Sequence, residues 1–410
     1  MTTSAAATST AMTTFLSGSR FRRPTGSTSL LRSSGIPRAG SLDAAPCLRG
    51  QYRQERMRYA HAVRSLSLLV GFLAACGGTS PPAPSPPDLT TLARNTWTWL
   101  DVPGTSCGDG SRTGIGVNPG DGPGLIVFMN GGGACFDYVS CFVARIAGTG
   151  SFGRADFESL AARFPGSIFD RSDPSNPYRA MSLAFVPYCT GDVHSGDNIA
   201  DYPDASGGVH RWHHVGKANV DMVLPWIAAA FPAASPLVVS GSSAGGYGAL
   251  VNYDSFRRTF PTAEAVLVDD SGPPLVGDDI PLALRAAWIA AWRIDRAIVP
   301  LCPDCLTDFS KLFPELARRY PHDRFALLSS TQDQVIRSFL GYLDGSSFEA
   351  AVGRLEGVLD PIPGVRYFIV AGTSHTMLPT PASYVSAGVD LRLWLDRQLA
   401  GDAAWTSTKP

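Results

Sequence analysis

The stretch Pro236-Leu-Val-Val-Ser-Gly-Ser-Ser-Ala-Gly-Gly-Tyr-Gly-Ala-Leu250 limits the fold more than any other part of the chain. A short β-branched run, Leu237 to Val239, meets Gly241-Ser242-Ser243-Ala244-Gly245, and small residues then lead into a helix-forming segment. This is the G-x-S-x-G pattern in the setting it requires: strand, sharp turn, helix. Such a turn is strained, and glycines beside the serine let strand and helix pack closely beneath it. Ser243 would then stand exposed, with the helix N-terminus and the Ala244 amide directed at a developing oxyanion. The plain alternative is a Gly/Ser-rich turn with no chemistry. The flanking pattern and the partners described below favour a nucleophile.

With 410 residues the chain could hold about two or three ordinary domains, although α/β enzymes commonly use most of such a length as one. A hydrophobic content of 44% against 17% charged residues suits a globular protein with a large core. The net charge of -1 implies no nucleic-acid partner. Arginines nevertheless crowd the beginning, from Arg20 to Arg64, so that segment is read apart from the rest.

Residues 1–56, rich in Ser, Thr, Ala, Gly and Arg, read as disordered or as an untranslated upstream extension. Met57 opens a short basic segment followed by the apolar run Leu66–Ala75, too short to span a bilayer. It ends in Leu73-Ala-Ala-Cys76, which resembles a bacterial lipobox and predicts a lipoprotein signal peptide over 57–76 with lipidation at Cys76. A plain secretory signal or a short buried helix is the alternative. Residues 77–89 form a Pro-rich linker suited to holding an anchored domain off a membrane. Residues 90–410 are expected to be one catalytic domain, attached to the membrane only through the lipid.

Export would place Cys107, Cys135, Cys141, Cys189, Cys302 and Cys305 in an oxidising compartment as an even set. Cys135/Cys141 and Cys302/Cys305 are near enough in sequence to close small loops, which would leave Cys107 with Cys189, one of fifteen possible pairings. Cys302-Pro-Asp-Cys305 has metal-like spacing, but no second such pair completes a zinc site, and no metal is expected.

Apolar runs at 125–129, 181–186, 237–239, 265–268, 325–328 and 367–370 read as buried parallel strands. Helical stretches at 218–231, 245–260, 280–292, 334–342 and 389–399 fall between and after them. That alternation predicts a doubly wound α/β sheet whose ligands sit at the C-terminal strand ends.

After the first of these strands comes Asn130-Gly131-Gly132-Gly133-Ala134-Cys135. Its bare glycine amides can approach a substrate carbonyl and, with the Ala244 amide, complete an oxyanion hole. A flexible glycine turn is the alternative. A serine nucleophile needs a base, and the base needs an orienting acid. Only His322 and His375 follow Ser243. His375 lies just beyond the strand at 367–370, whereas His322 precedes a strand and would lie at the wrong end. His375 is the expected base, a capping or surface histidine being the other reading. Asp333, beyond the 325–328 strand, is the favoured acid, and Asp270, one strand earlier, remains an alternative.

Asn130-Gly-Gly-Gly-Ala-Cys135, Val186-Pro-Tyr-Cys-Thr-Gly-Asp-Val-His-Ser-Gly-Asp197, His213-His-Val-Gly-Lys-Ala-Asn-Val220, Gly241-Ser-Ser-Ala-Gly-Gly246 and Asp270-Ser-Gly272 follow one another in order. Together they resemble the pectin acetylesterase/Notum family of carboxylesterases over most of residues 95–380. The resemblance implies an α/β-hydrolase fold: a doubly wound, mostly parallel sheet with helices on both faces, in a single domain. It also implies a triad on Ser243, Asp333 and His375, an oxyanion loop on Gly131 and Gly132, and a role for Asp270 outside the triad. Secretion and disulfides are usual in that family. Two positions depart from it. Ala134 stands where the family usually has Trp, and Thr331-Gln-Asp-Gln334 replaces an aromatic block of the plant enzymes. Both changes remove aromatic surface near the site, which puts pectin, though not ester hydrolysis, in question.

His194, His210, His213 and His214 crowd one region without a carboxylate at ligand spacing and read as loop and core residues. Asn130, Tyr188 and Asp197 are candidates to line the substrate cleft, and the latter two could equally brace its loop. Trp288 and Trp292, at helical spacing, read as core. The expectation is thus an exported, lipid-anchored, monomeric serine carboxylesterase that needs no cofactor. Its substrate would be an acetylated polysaccharide, with a small or lipid ester as the alternative. A catalytically silent binding lipoprotein and a peptidase on the same fold are weaker readings.

Overall fold

Strands rich in apolar residues and buried at every position form the centre of the molecule, because both of their faces are covered. The chain runs through β1 (Thr98–Asp101), β2 (Gly114–Asn118), β3 (Leu125–Met129) and β4 (Ser182–Val186). A separate hairpin follows, β5 (Asn198–Pro203) with β6 (Val209–His214). β7 (Leu237–Ser242), β8 (Ala265–Asp270), β9 (Arg324–Ser330) and β10 (Val365–Val370) return to the main sheet. Its order is β1-β2-β4-β3-β7-β8-β9-β10, parallel from β4 to β10, with β1 and β2 antiparallel at one edge. This computed structural model describes Pro86, Asp88, Leu89 and residues 91–410 other than Thr149, within a compact unit spanning 83–410. The expected extension at 1–56, the leader at 57–76 with Cys76, and most of the linker lie outside the described residues.

Helices α1 (Arg154–Ala161), α2 (Gly216–Ala230), α3 (Ala244–Thr259), α4 (Leu282–Trp292) and α5 (Asp295–Ile298) precede β9. So does α6 (Leu312–Arg319), and α7 (Gln334–Phe339), α8 (Gly345–Leu359) and α9 (Leu391–Ala400) complete the chain. Alternate strand residues feed two separate cores. Leu125, Val127, Leu237, Val239, Phe325 and Leu327 pack with α2, α3, α4, α6 and α8, whereas Ile126, Phe128, Val238, Ala326 and Leu328 pack with α1 and α9. The expected doubly wound sheet with helices on both faces is therefore present. Among the described residues, no helix is long and apolar enough to cross a membrane.

All six expected strands lie in the sheet, and the expected helices match α2, α3, α4, α7 and α9 to within a few residues. The antiparallel edge pair, the β5–β6 hairpin and α1, α5, α6 and α8 are additional to the elements expected from sequence. Residues of β5 alternate partly buried with exposed, a weak signal that loop-like Asp, Asn and Pro obscured. In α8, Gly345, Gly353 and Gly357 lower helix propensity, although Phe348, Ala351, Val352, Leu355 and Leu359 mark one buried face at helical spacing. Disulfides join Cys107–Cys189, Cys135–Cys141 and Cys302–Cys305, as the sequence spacing suggested.

Glycine has opposite meanings in α3 and α8. A Cβ at Gly245 would overlap the Met129 carbonyl, and one at Gly241 would overlap the Gly245 carbonyl, so both residues permit the contact of α3 with β3. No atom lies within 4 Å of a Cβ built on Gly353 or Gly357. Gly245→Ala should therefore destabilise the protein by roughly 3 kcal/mol. Gly353→Ala should stabilise it by about 0.5–1 kcal/mol. Urea unfolding of the two variants tests the pair, and equal midpoints would refute the close-contact argument.

Candidate active site

β7 delivers Ser243 to a turn where its backbone takes φ 60° and ψ -122°, a strained conformation for a residue with a side chain. The turn is held from the neighbouring strand, since the Ser243 amide donates to the Asp270 carbonyl at 2.7 Å. α3 begins at the next residue, and its N-terminal amides point back toward the serine. The glycine loop after β3 closes the other side. A Cβ on Gly131 would stand 3.1 Å from the Ser243 Cβ, so this loop runs directly beside the serine. Gly133, at φ 78°, turns the chain where a side chain would strike the Ile146 carbonyl.

Asp333 and His375 come together from the ends of β9 and β10. Backbone bonds lace the two loops: Gln332 N–H donates to the Gly372 carbonyl at 2.9 Å and Gln334 N–H to the Thr373 carbonyl at 3.2 Å. His375 Nδ1 lies 2.8 Å from Asp333 Oδ2 and 3.1 Å from Oδ1. The carboxylate is fully buried and also caps α7, accepting from the Val335 and Ile336 amides at 2.9 and 3.0 Å. One acidic side chain thus fixes both the helix start and the imidazole. A carboxylate only accepts, so Nδ1 carries the proton and Nε2 keeps a free lone pair. His322, by contrast, is exposed beside the start of β9.

Asp270, the alternative acid, makes no bond to the His375 ring among the described contacts. Its carboxylate accepts from Ser242 Oγ at 2.6 Å, from the Met377 amide at 2.9 Å and from the Leu378 amide at 3.0 Å. Ser271 extends the tie, its hydroxyl accepting from the Thr376 amide at 3.0 Å. Asp270 therefore connects the serine turn to the loop just beyond His375. Burial pushes its carboxyl above the usual range, and the Ser242, Leu378 and Met377 donors oppose that shift. Adjacent Asp269 is pushed well above the range by burial and by the Asp270 charge.

The remaining candidates are held in contacts of their own. Tyr188 is buried, its hydroxyl accepts from the Val193 amide at 2.8 Å, and its ring packs on Gly132. Asp197 pairs with Arg296 at 3.0 Å. Both brace the loops around the site. Asn130 presents its carbonyl to His194 Nε2 at 2.9 Å. His210 pairs with Asp204, and His213 with the Ser106 hydroxyl. His214 is buried, with its rings' nitrogens on the Thr190 carbonyl and the Tyr202 hydroxyl, and burial lowers its pKa to about 3. Among the described residues, Cys135, Cys141 and His214 alone have metal-ligand spacing, but both sulfurs are committed to a disulfide. Trp288 and Trp292 are core residues stacked at 5.3 Å, as read from their spacing.

The profile of the pectinacetylesterase family matches residues 91–286, which include the glycine loop and Ser243. Over that span the chain is similar to the pectin acetylesterase and Notum family. It is 31% identical over 183 residues to pectin acetylesterase 7 of Arabidopsis thaliana, covering 43% of this chain and 44% of that relative. It is 28% identical over 163 residues to the palmitoleoyl-protein carboxylesterase NOTUM of Drosophila melanogaster, covering 37% of this chain and 23% of that relative. The chain thus spans less than half the length of these curated relatives. The structure of the Wnt deacylase Notum from Drosophila superposes with a TM-score of 0.55 at 19% identity, covering 76% of this chain and 95% of that one. The fold is that of the α/β hydrolases. The family match ends before Asp333 and His375, so for these two residues geometry carries the argument.

The Asp270 contacts generate a stability prediction. Asp270→Ala leaves the Ser242 hydroxyl and the Met377 and Leu378 amides buried without their acceptor. It should cost roughly 3 kcal/mol in urea unfolding. A loss below about 1 kcal/mol would mean that other contacts hold the histidine loop.

Proposed function

We propose that this protein is a serine carboxylic-ester hydrolase of residues 90–410, with Ser243 as nucleophile, His375 as general base and Asp333 as the orienting acid. The observation that carries this reading is the His375 Nδ1–Asp333 Oδ2 contact of 2.8 Å, on loops laced to one another and tied through Asp270 to the strained serine turn. Ser243 Oγ attacks the ester carbonyl as His375 Nε2 takes its proton, and Asp333 stabilises the imidazolium that forms. Amides of Gly131, Gly132 and Ala244 receive the oxyanion. His375 then returns the proton to the leaving alkoxide, and a water activated by the same imidazole releases the acyl group.

Relatives named pectin acetylesterases support an acetylated polysaccharide as substrate. Relatives named palmitoleoyl-protein carboxylesterases favour a lipid ester as the second reading. Three disulfides support export, and a lipid anchor at Cys76 remains part of the proposal.

Hydrolysis of p-nitrophenyl esters from acetyl to palmitoyl tests the assignment. Turnover should be greatest on short chains, fall about 10⁵-fold or more in Ser243→Ala, and fall about 10³–10⁴-fold in kcat in Asp333→Asn. A long-chain optimum would transfer the substrate to lipids. Failure of every ester to react faster than with Ser243→Ala would refute the esterase reading.

A further inference from the structure

His194 is the one histidine of its crowded region that touches both the glycine loop and the nucleophile helix. Its Nε2 lies 2.9 Å from the Asn130 carbonyl, the residue before Gly131. That oxygen only accepts, so Nε2–H is the donor. On the other side the ring lies against α3, where a Cβ on Gly248 would strike imidazole atoms from 2.8 Å. One turn further along α3, the Asn252 side-chain amide donates to the His194 carbonyl at 2.9 Å. Tyr188 completes the wedge. Its ring lies 4.8 Å from the imidazole and packs on Gly132.

The backbone that presents this ring is strained. Val193 and His194 both take positive φ, 51° and 57°, which a β-branched valine strongly resists. Buried Asp192 holds them there. Its carboxylate accepts from the Thr190 hydroxyl at 2.6 Å, the His194 amide at 3.1 Å and the Gly216 amide at 2.7 Å. Such a costly local conformation persists only where its surroundings dictate it. Burial lowers the imidazole pKa to about 4, so a neutral ring makes the Asn130 contact near neutral pH.

We infer that His194 is a positioning residue that fixes the two halves of the oxyanion hole relative to one another. Ala244 belongs to α3, Gly131 and Gly132 belong to the loop after β3, and the imidazole joins α3 to that loop through Gly248 and Asn130. This inference rests on the serine-hydrolase reading. It goes further by naming a side chain that never meets substrate and yet controls stabilisation of the transition state.

The full-length chain and its His194→Ala, His194→Gln and His194→Asn variants test it, with Ser243→Ala as reference. Rates on p-nitrophenyl acetate are expressed per active site titrated with a fluorophosphonate, which removes any loss due to unfolded protein. Gln can carry an N–H toward the place of Nε2, whereas Asn carries one only near Nδ1. Ala and Asn should each lower kcat by about 10- to 100-fold, less than the 10²–10³ lost with a whole oxyanion donor. KM should stay within about twofold, and Gln should recover most of the rate. Equal loss in all three variants would mark His194 as packing only. So would a loss that disappears per titrated site, or an Ala variant with the parent kcat, and each would overturn the inference. Undiminished turnover by Ser243→Ala would instead remove the serine reading itself, whatever the His194 variants do.

Discussion

The first turn of α3 lies so close to the end of β3 that no side chain fits between them. Gly245 abuts the Met129 carbonyl, and Gly241 abuts Gly245 in turn. This approach lets the chain reverse at Ser243 and lift its hydroxyl above the sheet, at the cost of a backbone conformation that serine does not favour. The strain is borne locally by the hydrogen bond to the Asp270 carbonyl and at longer range by the two cores that clamp the sheet. A looser contact would let the turn relax and carry Ser243 away from the glycine loop.

Buried carboxylates then divide the work of holding loops in register. Asp333 orients His375 and starts α7, Asp270 binds the serine turn to the segment after His375, and Asp192 bends the chain that presents His194. Each is fully enclosed and accepts several hydrogen bonds, which is what allows a carboxyl group to sit in a protein interior. All three bind main-chain amides in loops or in first turns of helices, where no strand ladder or intrahelical bond is available to satisfy those donors. The site is rigid because its acids serve as backbone partners first.

The sheet was legible because its central strands carry continuous apolar runs, a pattern that coverage on both faces produces. Ser243 was legible because its motif joins two elements whose patterns are themselves distinct. The edge strands, the β5–β6 hairpin and α8 were obscured because half-buried alternation and glycine-bearing helices give signals that polar and breaker residues mask. The contacts of His194 were hidden for another reason. Its partners, Asn130, Gly248 and Asn252, are distant in sequence, and nothing in the chain indicates that they converge.

The sequence by itself marked the six central strands, five of the helices, the serine turn and His375 as the histidine at the correct strand end. These follow from local pattern, or from residues so few that position decides among them. Only the tertiary structure shows which of Asp333 and Asp270 lies against the His375 imidazole. Both end a strand with an acid at the correct edge of the sheet, and they differ in where the side chain points once the strands are in register. Asp333 meets the imidazole, whereas Asp270 meets the backbone two residues beyond it. Sequence specifies which groups are available at the end of the sheet, and packing determines which of them meet.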